Sequence, residues 1–465
     1  MTAPVKRPRV NALFVFGTRP EAIKLIPVIQ AMRGTRIRPL VVDTGQHPDM
    51  VPQLLAQAGV EIDFQLSIAD PGATVADLTG RVLAAVDGVL TELRGGHPER
   101  RLKPRLYLRE PNTKAHYPAF IVVQGDTSSA FAGALAAATN KLPVVHVEAG
   151  LRTGDLHTPF PEEMNRRLIS AITALHLPPT TTSQQALVDE GIDVATTYVT
   201  GNTSIDAILW AAEQPVEWPD PRLHRVDAHQ GPVIVATTHR RENWGDGIDG
   251  IADGLARIAE TRPDALIVVP MHPNPKVRAD LIPRLGELPN VILTEPLEYV
   301  PFAHLLKRAD VAVSDSGGVQ EEAPSLGTPV VVTRESSERM EGVHAGVLTL
   351  TGTDPDLIHD AVLKDLNSPV SKRERAAETN PFGDGKAGAR IVAVLEALVF
   401  GSEPLPGFGV SFDRGTVLLA AGYDPDDVEL ALTLAELPEQ RSDEDLAVAP
   451  IAPVAPIAPV APAEA

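Results

Sequence analysis

The amino-acid sequence predicts an α/β protein with two Rossmann-like, doubly wound domains that face a cleft. Short, nearly all-apolar runs of β-forming residues alternate with helix-like segments along most of the chain. A proline- and charge-rich stretch, residues 214–231, interrupts this alternation near the middle. Strand–helix–strand alternation produces parallel sheets with right-handed crossovers, so we predict one such sheet on each side of the interruption.

The predicted strands are short runs that are apolar almost throughout, as expected for strands covered on both faces. They are residues 12–16, 39–42, 120–123, 144–147, 233–236, 266–269, 291–293, 311–313 and 330–332. Helices are predicted between them, for example over residues 22–32, 128–138, 162–172, 251–260 and 320–326.

These elements divide the chain into a first domain, a linker, a second domain and two C-terminal segments. We predict the first domain over residues 1–213, with a polar, basic insertion at 94–117, the linker over 214–231 and the second domain over 232–384. Residues 385–400 are predicted to form a helix that packs back on the first domain. Residues 401–465 hold 12 acidic and 2 basic residues, a net charge of −10, and repeat Ala-Pro towards the end, so we predict a flexible tail in which only 415–421 favours a short local element.

The charge balance and the absence of cysteine exclude several classes of protein. With 41 Lys and Arg against 61 Asp and Glu, the net charge of −20 argues against a nucleic-acid binder. No cysteine is present, which excludes disulfides, thiolate metal sites and a cysteine nucleophile. Because no apolar run is long enough to cross a bilayer, we expect a cytoplasmic protein without membrane insertion.

Three carboxylates lie where a strand ends or a helix begins. Asp126 and Glu148 each follow a predicted strand, and Glu162 opens a predicted helix. A charge at the end of a buried strand needs a partner or a function, and converging carboxylates can exchange a proton with carbon or water. Structural alternatives exist, because Asp126 could be the N-cap before Ser128 and Glu162 a favourable charge at a helix N-terminus.

A second group of residues favours anion binding. Ser316, Gly317 and Gly318 open a helix after a strand, where free N–H groups and close backbone approach suit a phosphate. Glu322 lies about one helical turn further, where its carboxylate could accept hydrogen bonds from ribose hydroxyls. Tight-turn chemistry alone would also explain the glycines.

Four basic or imidazole side chains are candidates for contacting the same anion. Arg19 follows the first strand, Lys24 lies in the next helix, and Arg339 lies in a polar loop of the second half. His239 ends the first strand of the second half. The alternative is a surface cation in the first three cases and a structural histidine in the last. Histidine and carboxylate spacings fit no metal site, so we expect no catalytic metal.

Eight motifs in order resemble those of the non-hydrolysing UDP-N-acetylglucosamine 2-epimerases. They are residues 16–24, 125–127, 146–155, 161–166, 201–203, 239–243, 272–275 and 315–327. The resemblance extends over roughly residues 10–400, apart from the insertion. It implies the glycosyltransferase-B architecture and reversible inversion at C2 of UDP-GlcNAc to give UDP-ManNAc, without metal or nicotinamide. Elimination of UDP to a 2-acetamidoglucal and its re-addition would be the route.

The resemblance also implies roles for particular residues. Asp126, Glu148 and Glu162 would transfer protons at C2 and assist C–O cleavage, and His239 would stabilise the departing diphosphate. The UDP moiety would be held by Arg19, Lys24, Phe302, Ser316, Gly317, Gly318, Glu322 and Arg339. The family further implies a homodimer and a role in cell-surface polysaccharide synthesis.

One family feature is only partly present. Many relatives bind a second UDP-GlcNAc as an activator, and Gln46, His47 and His272 match that site. Gly72 and Ala73 stand where an Arg-Gln pair is expected.

The sequence is also compatible with several other functions. Enzymes that act on diacetamido uronic acid nucleotides share the catalytic set, and a UDP-sugar glycosyltransferase shares the fold and the nucleotide site. A hydrolysing epimerase would release free ManNAc and UDP. An inactive nucleotide-sugar sensor would not need the carboxylates, and the tail could recruit a partner.

Overall fold

The computed structural model describes residues 10–70, 72–95, 117–377, 380–409 and 411–435. These residues form two compact units, one made of residues up to Thr203 together with those from Lys386 onwards, and the other of Ser204–Gly385. We call them the first and the second domain. Most of the predicted insertion lies outside the described residues.

The first domain contains a parallel sheet of six strands. They are β1 (Val10–Phe16), β2 (Ile37–Asp43), β3 (Phe64–Gln65), β4 (Pro118–Gln124), β5 (Val144–Val147) and β6 (Leu175–Leu177). Their order across the sheet is β3-β2-β1-β4-β5-β6, the doubly wound order that reverses direction beside β1. Helices up to the domain boundary are α1 (Arg19–Ala31), α2 (Met50–Gln57), α3 (Val75–Leu93), α4 (Ser128–Thr139), α5 (Glu162–Ile172) and α6 (Thr181–Asp189).

The second domain repeats this plan. Its strands are β7 (Val233–Thr237), β8 (Leu266–Pro270), β9 (Val291–Thr294), β10 (Val311–Ser314), β11 (Val330–Val332) and β12 (Leu348–Leu350), in the order β12-β11-β10-β7-β8-β9. Its helices are α7 (Thr203–Ala211), α8 (His224–Ala228), α9 (Asp246–Thr261), α10 (Pro275–Leu285), α11 (Tyr299–Arg308), α12 (Gly317–Glu322), α13 (Met340–His344), α14 (Pro355–Leu366) and α15 (Lys372–Ala377).

Three further helices follow and belong to the first domain: α16 (Ala387–Phe400), α17 (Arg414–Ala420) and α18 (Pro425–Ala435). Helix α16 packs against α1 so closely that a Cβ on Gly388 would lie 2.9 Å from the Pro27 carbonyl oxygen.

The predicted fold class is confirmed, and each predicted strand is present. The central helix α4 shows why the first domain closes tightly over its sheet. It is rich in alanine, and a Cβ on Gly133 would lie 2.9 Å from the Val15 side chain of β1. Small residues let α4 approach the sheet, and the apolar strands are covered as a result.

The boundary between the domains differs from the prediction. The chain leaves the first domain at Thr203, and residues 214–231 belong to the second domain rather than to a free linker. Within this stretch Leu223 and Val226 are fully buried, and Arg222 donates a hydrogen bond to the Leu293 carbonyl oxygen over 2.7 Å. Buried apolar residues and hydrogen bonds together anchor this segment, although it is rich in proline and charge.

The prediction of a flexible tail from residue 401 is wrong for its first part. Helices α17 and α18 bury Val417, Leu418 and Val428. Arg414 donates hydrogen bonds to the carbonyl oxygens of Leu398 (3.0 Å) and Ala431 (3.1 Å), which ties both helices to α16. Helix α17 lies where the sequence favoured a short local element, over 415–421, whereas the charge and proline content of the tail hid Val428 and helix α18. Residues 436–465 lie outside the described part of the chain.

Candidate active site

Two of the predicted carboxylates follow neighbouring strands of the first sheet. Strands β4 and β5 pair in parallel with Gln124 opposite Val147, so Asp126 and Glu148 leave the sheet at the same edge. This is the edge at which doubly wound sheets bind their ligands.

Glu148 is fixed by its backbone and by its carboxylate. Its φ of 65° lies in the left-handed region, which costs about 1 kcal/mol for a residue with a side chain. Its N–H donates to the Leu177 carbonyl oxygen of β6 over 3.0 Å. The carboxylate oxygen Oε2 accepts hydrogen bonds from the Lys24 ammonium and, over 2.9 Å, from the Gln124 amide. A strained backbone held by neighbours is typical of functional positions.

Asp126 is not the N-cap that the structural alternative requires. The cap of α4 is Thr127, whose hydroxyl accepts a hydrogen bond from the Ala130 N–H over 3.0 Å. The Asp126 carboxylate instead forms an ion pair with Arg166 of α5 at 2.5 Å. Asn165 donates to its carbonyl oxygen over 2.8 Å.

Glu162 is the first residue of α5, one helical turn before Arg166. Residues four apart lie on the same face of a helix, so Glu162 lies on the face of α5 that meets Asp126. Its Oε2 atom is buried and has no hydrogen-bond partner among the described residues. An unsatisfied buried oxygen is unfavourable and would be satisfied by an incoming donor or by a proton.

The two predicted cations of the first domain lie on α1. Arg19 is its first residue and Lys24 contacts Glu148, as described above. The Arg19 N–H donates to Nδ1 of His47 over 3.2 Å, so His47 carries its proton on Nε2 when neutral. Gln46 accepts a hydrogen bond from the Ser129 hydroxyl over 2.9 Å. Of the predicted activator residues, His47 therefore contacts the start of α1 and Gln46 contacts α4.

His239, in the second domain, is oriented by a buried carboxylate. Its Nδ1 lies 3.1 Å from Oδ1 of Asp315, whose side chain is fully buried while that of His239 is 39% exposed. Burial acts to raise the pKa of Asp315, but the hydrogen bond and charge of His239, together with the N–H groups of Arg240 and His239, lower it to about 2. The ionised Asp315 holds the proton of His239 on Nδ1 and leaves Nε2 available.

His272 lies beside His239, with the two rings stacked at a centroid distance of 6.2 Å. Partial burial and the neighbouring His239 lower the pKa of His272. Its Nδ1 accepts a hydrogen bond from the Asn274 N–H over 3.2 Å, so this contact uses Nδ1 and not Nε2.

The glycine-rich helix start is covered by an arginine. A Cβ on Gly317 would lie 2.8 Å from the Arg339 guanidinium, whereas one on Gly318 would meet only Ser316, at 3.9 Å. Arg339 is held by Glu321, whose Oε1 accepts from Nε over 2.7 Å. Its side chain is only 14% exposed, which argues against the surface-cation alternative.

Glu322 ends the same helix, α12, and is buried. Its Oε1 accepts a hydrogen bond from the Tyr299 hydroxyl over 3.3 Å. Tyr299 opens α11, which also carries the half-buried Phe302. The elements proposed to hold uridine and ribose are therefore joined directly.

Sequence reasoning missed several contributors, among them Gln124, Arg166, Tyr299 and Asp315. Asp315 could have been found, because it follows an apolar strand just as Asp126 and Glu148 do. The other three act through contacts between residues far apart in sequence.

No group of three or more His, Asp or Glu side chains in the described part of the chain is arranged to hold a metal ion. Among the same residues, the helices lack the combination of length and hydropathy that a membrane span requires.

Comparison with known proteins identifies the family. The sequence model of the family described as UDP-N-acetylglucosamine 2-epimerase matches residues 109–396. The chain belongs to the UDP-N-acetylglucosamine 2-epimerase family. The predicted resemblance is thereby confirmed, and the chain is an isomerase of this family.

Individual members of the family are similar to this chain over nearly their whole length. The UDP-N-acetylglucosamine 2-epimerase of Escherichia coli K12 is 39% identical over 395 residues, which cover 83% of this chain and 98% of the relative. The crystal structure of UDP-GlcNAc 2-epimerase from Neisseria meningitidis bound to UDP-GlcNAc is 36% identical with a TM-score of 0.69, and covers 83% of this chain and 99% of that one. The Methanocaldococcus jannaschii UDP-GlcNAc 2-epimerase, in complex with UDP-GlcNAc and UDP, is 31% identical with a TM-score of 0.64, over 83% and 99% of the two chains.

Proposed function

We propose that this chain interconverts UDP-GlcNAc and UDP-ManNAc by elimination and re-addition of UDP. A base removes the C2 proton while the C1–O bond to UDP breaks, which yields 2-acetamidoglucal and UDP. Protonation at C2 on the opposite face and return of UDP to C1 complete the inversion. The C2 hydrogen leaves and returns as a proton, and UDP leaves and returns with the electron pair of the C1–O bond, so no hydride is transferred and this route needs no redox cofactor.

The proposal rests on the edge of the first-domain sheet at which strands β4 and β5 end. Asp126 and Glu148 leave adjacent strands there, each paired with a cation, and α5 adds Glu162 with its unsatisfied buried oxygen. Two proton transfers on opposite faces of C2 require more than one acid–base group.

The second domain supplies the groups suited to the nucleotide. We assign the diphosphate to Ser316, Gly317, Gly318 and Arg339, the ribose to Glu322 and the uridine to Phe302, with Arg19 and Lys24 of the first domain as further phosphate ligands. His239, held by Asp315, would stabilise the charge on the departing diphosphate.

Proton NMR in D2O tests the reaction. The purified protein is incubated with UDP-GlcNAc without added metal or nicotinamide. We expect UDP-ManNAc with deuterium at C2. Free ManNAc and UDP as main products would indicate hydrolysis. An unchanged spectrum would contradict the proposed substrate and favour a diacetamido uronic acid nucleotide or a glycosyltransferase that awaits its acceptor.

We further propose a cytoplasmic homodimer that supplies cell-surface polysaccharide synthesis, with a second UDP-GlcNAc bound at Gln46, His47 and His272. Light scattering tests the dimer. Initial rates measured over a range of UDP-GlcNAc concentrations test activation, because an activator site gives sigmoidal kinetics. Hyperbolic kinetics would indicate that Gly72 and Ala73 have removed it.

A further inference from the structure

Glu21 is a buried carboxylate to which the reaction above assigns no role. It is only 1% exposed and lies in the first turn of α1, two residues after Arg19. Its Oε2 accepts hydrogen bonds from the N–H groups of Gly17 (3.1 Å) and Thr18 (2.8 Å) and from the Thr18 hydroxyl (2.8 Å). With Thr18 it forms a capping box that fixes the start of α1.

The other oxygen of Glu21 reaches a different loop. The Thr127 hydroxyl donates to Oε1 over 2.6 Å, although the residues are 106 positions apart. The same hydroxyl caps α4 by accepting the Ala130 N–H, so it uses its one proton on Glu21. One carboxylate thus joins the starts of two helices, α1 and α4.

Each of these helix starts carries a residue of the candidate active site. Arg19 opens α1, and Asp126 directly precedes Thr127. The Asp126 loop is also held by His146, whose Nε2 lies 2.8 Å from the Gly125 carbonyl oxygen, and by Asn165. These contacts come from β5 and α5, whereas Glu21 provides the connection to α1.

We propose that Glu21 is a positioning residue for the epimerase reaction, which fixes Asp126 relative to Arg19 through its hydrogen bond with Thr127. This inference rests on the proposed function. The position of Asp126 matters because a small displacement of an acid–base group from its substrate slows proton transfer.

Glu21 accepts in all four of these hydrogen bonds, which requires a carboxylate at this position. All four partners donate, so only a group that accepts on both oxygens satisfies them. Burial raises the pKa of Glu21 to about 7, and the hydrogen bonds of Thr127, Thr18 and Gly17 oppose this rise. Glutamine has the same shape but presents an NH2 group to a donor, which breaks either the Thr127 contact or the capping box.

Glu21→Gln, Thr127→Val and Thr127→Ser test the proposal. We expect Glu21→Gln and Thr127→Val to lower kcat by about 10- to 100-fold. Thr127→Val leaves the capping box of α1 in place, so its KM and Kd for UDP should change less than about twofold. Thr127→Ser keeps the hydroxyl and should retain most of kcat. Asp77→Asn is the matched control, because Thr74 and Asp77 form a capping box at the exposed start of α3.

Hydrogen–deuterium exchange of the same proteins, measured on peptides covering residues 125–131, gives a readout that does not depend on turnover. We expect faster exchange there in Glu21→Gln and Thr127→Val, but not in Asp77→Asn. If the wild-type protein does not epimerise UDP-GlcNAc, the proposed function fails, and this exchange still decides whether Glu21 holds the loop.

Two results would overturn the proposal. One is a kcat within twofold of wild type in both Glu21→Gln and Thr127→Val. The other is unchanged exchange over residues 125–131. If Glu21→Gln fails to fold, Thr127→Val compared with Thr127→Ser decides, since both leave the carboxylate in place.

Discussion

The Lys24 ammonium is hydrogen-bonded to the Glu148 carboxylate, although 124 positions separate the two residues in sequence. The side chains are only 17% and 13% exposed, and Gln124 donates to the same carboxylate oxygen. A helix that begins with a candidate phosphate ligand is thus tied to a candidate proton-transfer group. Within the first domain, the ion pair thus connects the proposed phosphate-binding groups with the proposed proton-transfer groups.

Glu148→Gln is expected to reduce turnover by at least about 100-fold, because an amide cannot accept and return the C2 proton. The amide oxygen still accepts a hydrogen bond from Lys24, so we expect UDP binding, measured by calorimetry, to be retained. Glu295→Gln is the control, since Glu295 forms an exposed ion pair with Arg278. Near-normal turnover of Glu148→Gln would remove Glu148 from the chemistry.

Two glycines in helix interiors should respond in opposite directions to alanine. Gly88 of α3 is exposed, with no atom near an added Cβ, so Gly88→Ala should stabilise the protein by about 1 kcal/mol. In α4, a Cβ on Gly133 would lie 2.9 Å from Val15, so Gly133→Ala should destabilise by roughly 1–3 kcal/mol. Urea unfolding of both variants measures this, and a shift of the same sign in both would contradict the close approach of α4 to the sheet.

His176 should make the protein less stable in acid. Burial lowers its pKa from 6.5 to about 4, so the neutral ring is favoured in the folded state. The unfolded chain binds the proton first, and stability from this group is lost as the pH falls from 6.5 towards 4. The difference amounts to about 3 kcal/mol.

His176→Gln removes the titrating group, so the stability deficit of the variant relative to wild type should shrink as the pH falls from 7 to 4. Urea unfolding at several pH values measures that difference. His224→Gln, at an exposed position of α8, is the control and should leave the pH dependence unchanged. A deficit that is constant with pH would show that His176 does not titrate in this range.

Removal of α17 and α18 should destabilise the first domain without loss of catalysis. Truncation after Ser402 uncovers Tyr198, whose hydroxyl donates to the Leu405 carbonyl oxygen, and Arg390, whose guanidinium lies 4.4 Å from the Phe408 ring centroid. We expect the melting temperature to fall by roughly 5 °C. Turnover at 25 °C should be retained, because the match to the family ends at residue 396.

Truncation after Ala435 is the matched control, since it leaves all of these contacts in place. A melting temperature that is unchanged by truncation after Ser402 would contradict a structural role for the two helices.

Truncation after Ala435 also tests the last 30 residues. If this variant loses a binding partner of the full chain, recruitment by residues 436–465 is supported.

The sequence contained enough information for the fold class because the decisive features are local. An apolar strand covered on both faces is recognisable from its own residues, and the central strands of both sheets were predicted for this reason. Strands β3, β6 and β12 were not predicted, because each has only two or three residues and one of these is polar: Gln65, His176 and Thr349. Helix α18 was missed, and α17 was expected only as a short local element at 415–421, because composition averages over the few apolar positions that decide burial.

The candidate site likewise has features that the sequence predicts and features that depend on tertiary contacts. Asp126, Glu148 and Glu162 could be selected as candidates from the sequence alone, because a charge near the end of a buried apolar strand needs a partner or a function and Glu162 opens a helix in the same half of the chain. Their partners Arg166 and Lys24, the buried oxygen of Glu162 and the contact of Glu21 with Thr127 depend on packing between residues distant in the chain. The sequence by itself thus determined the fold class and selected the candidate reactive groups. Only the tertiary structure decided how each group is held, because hydrogen bonds and ion pairs form between side chains that folding brings together.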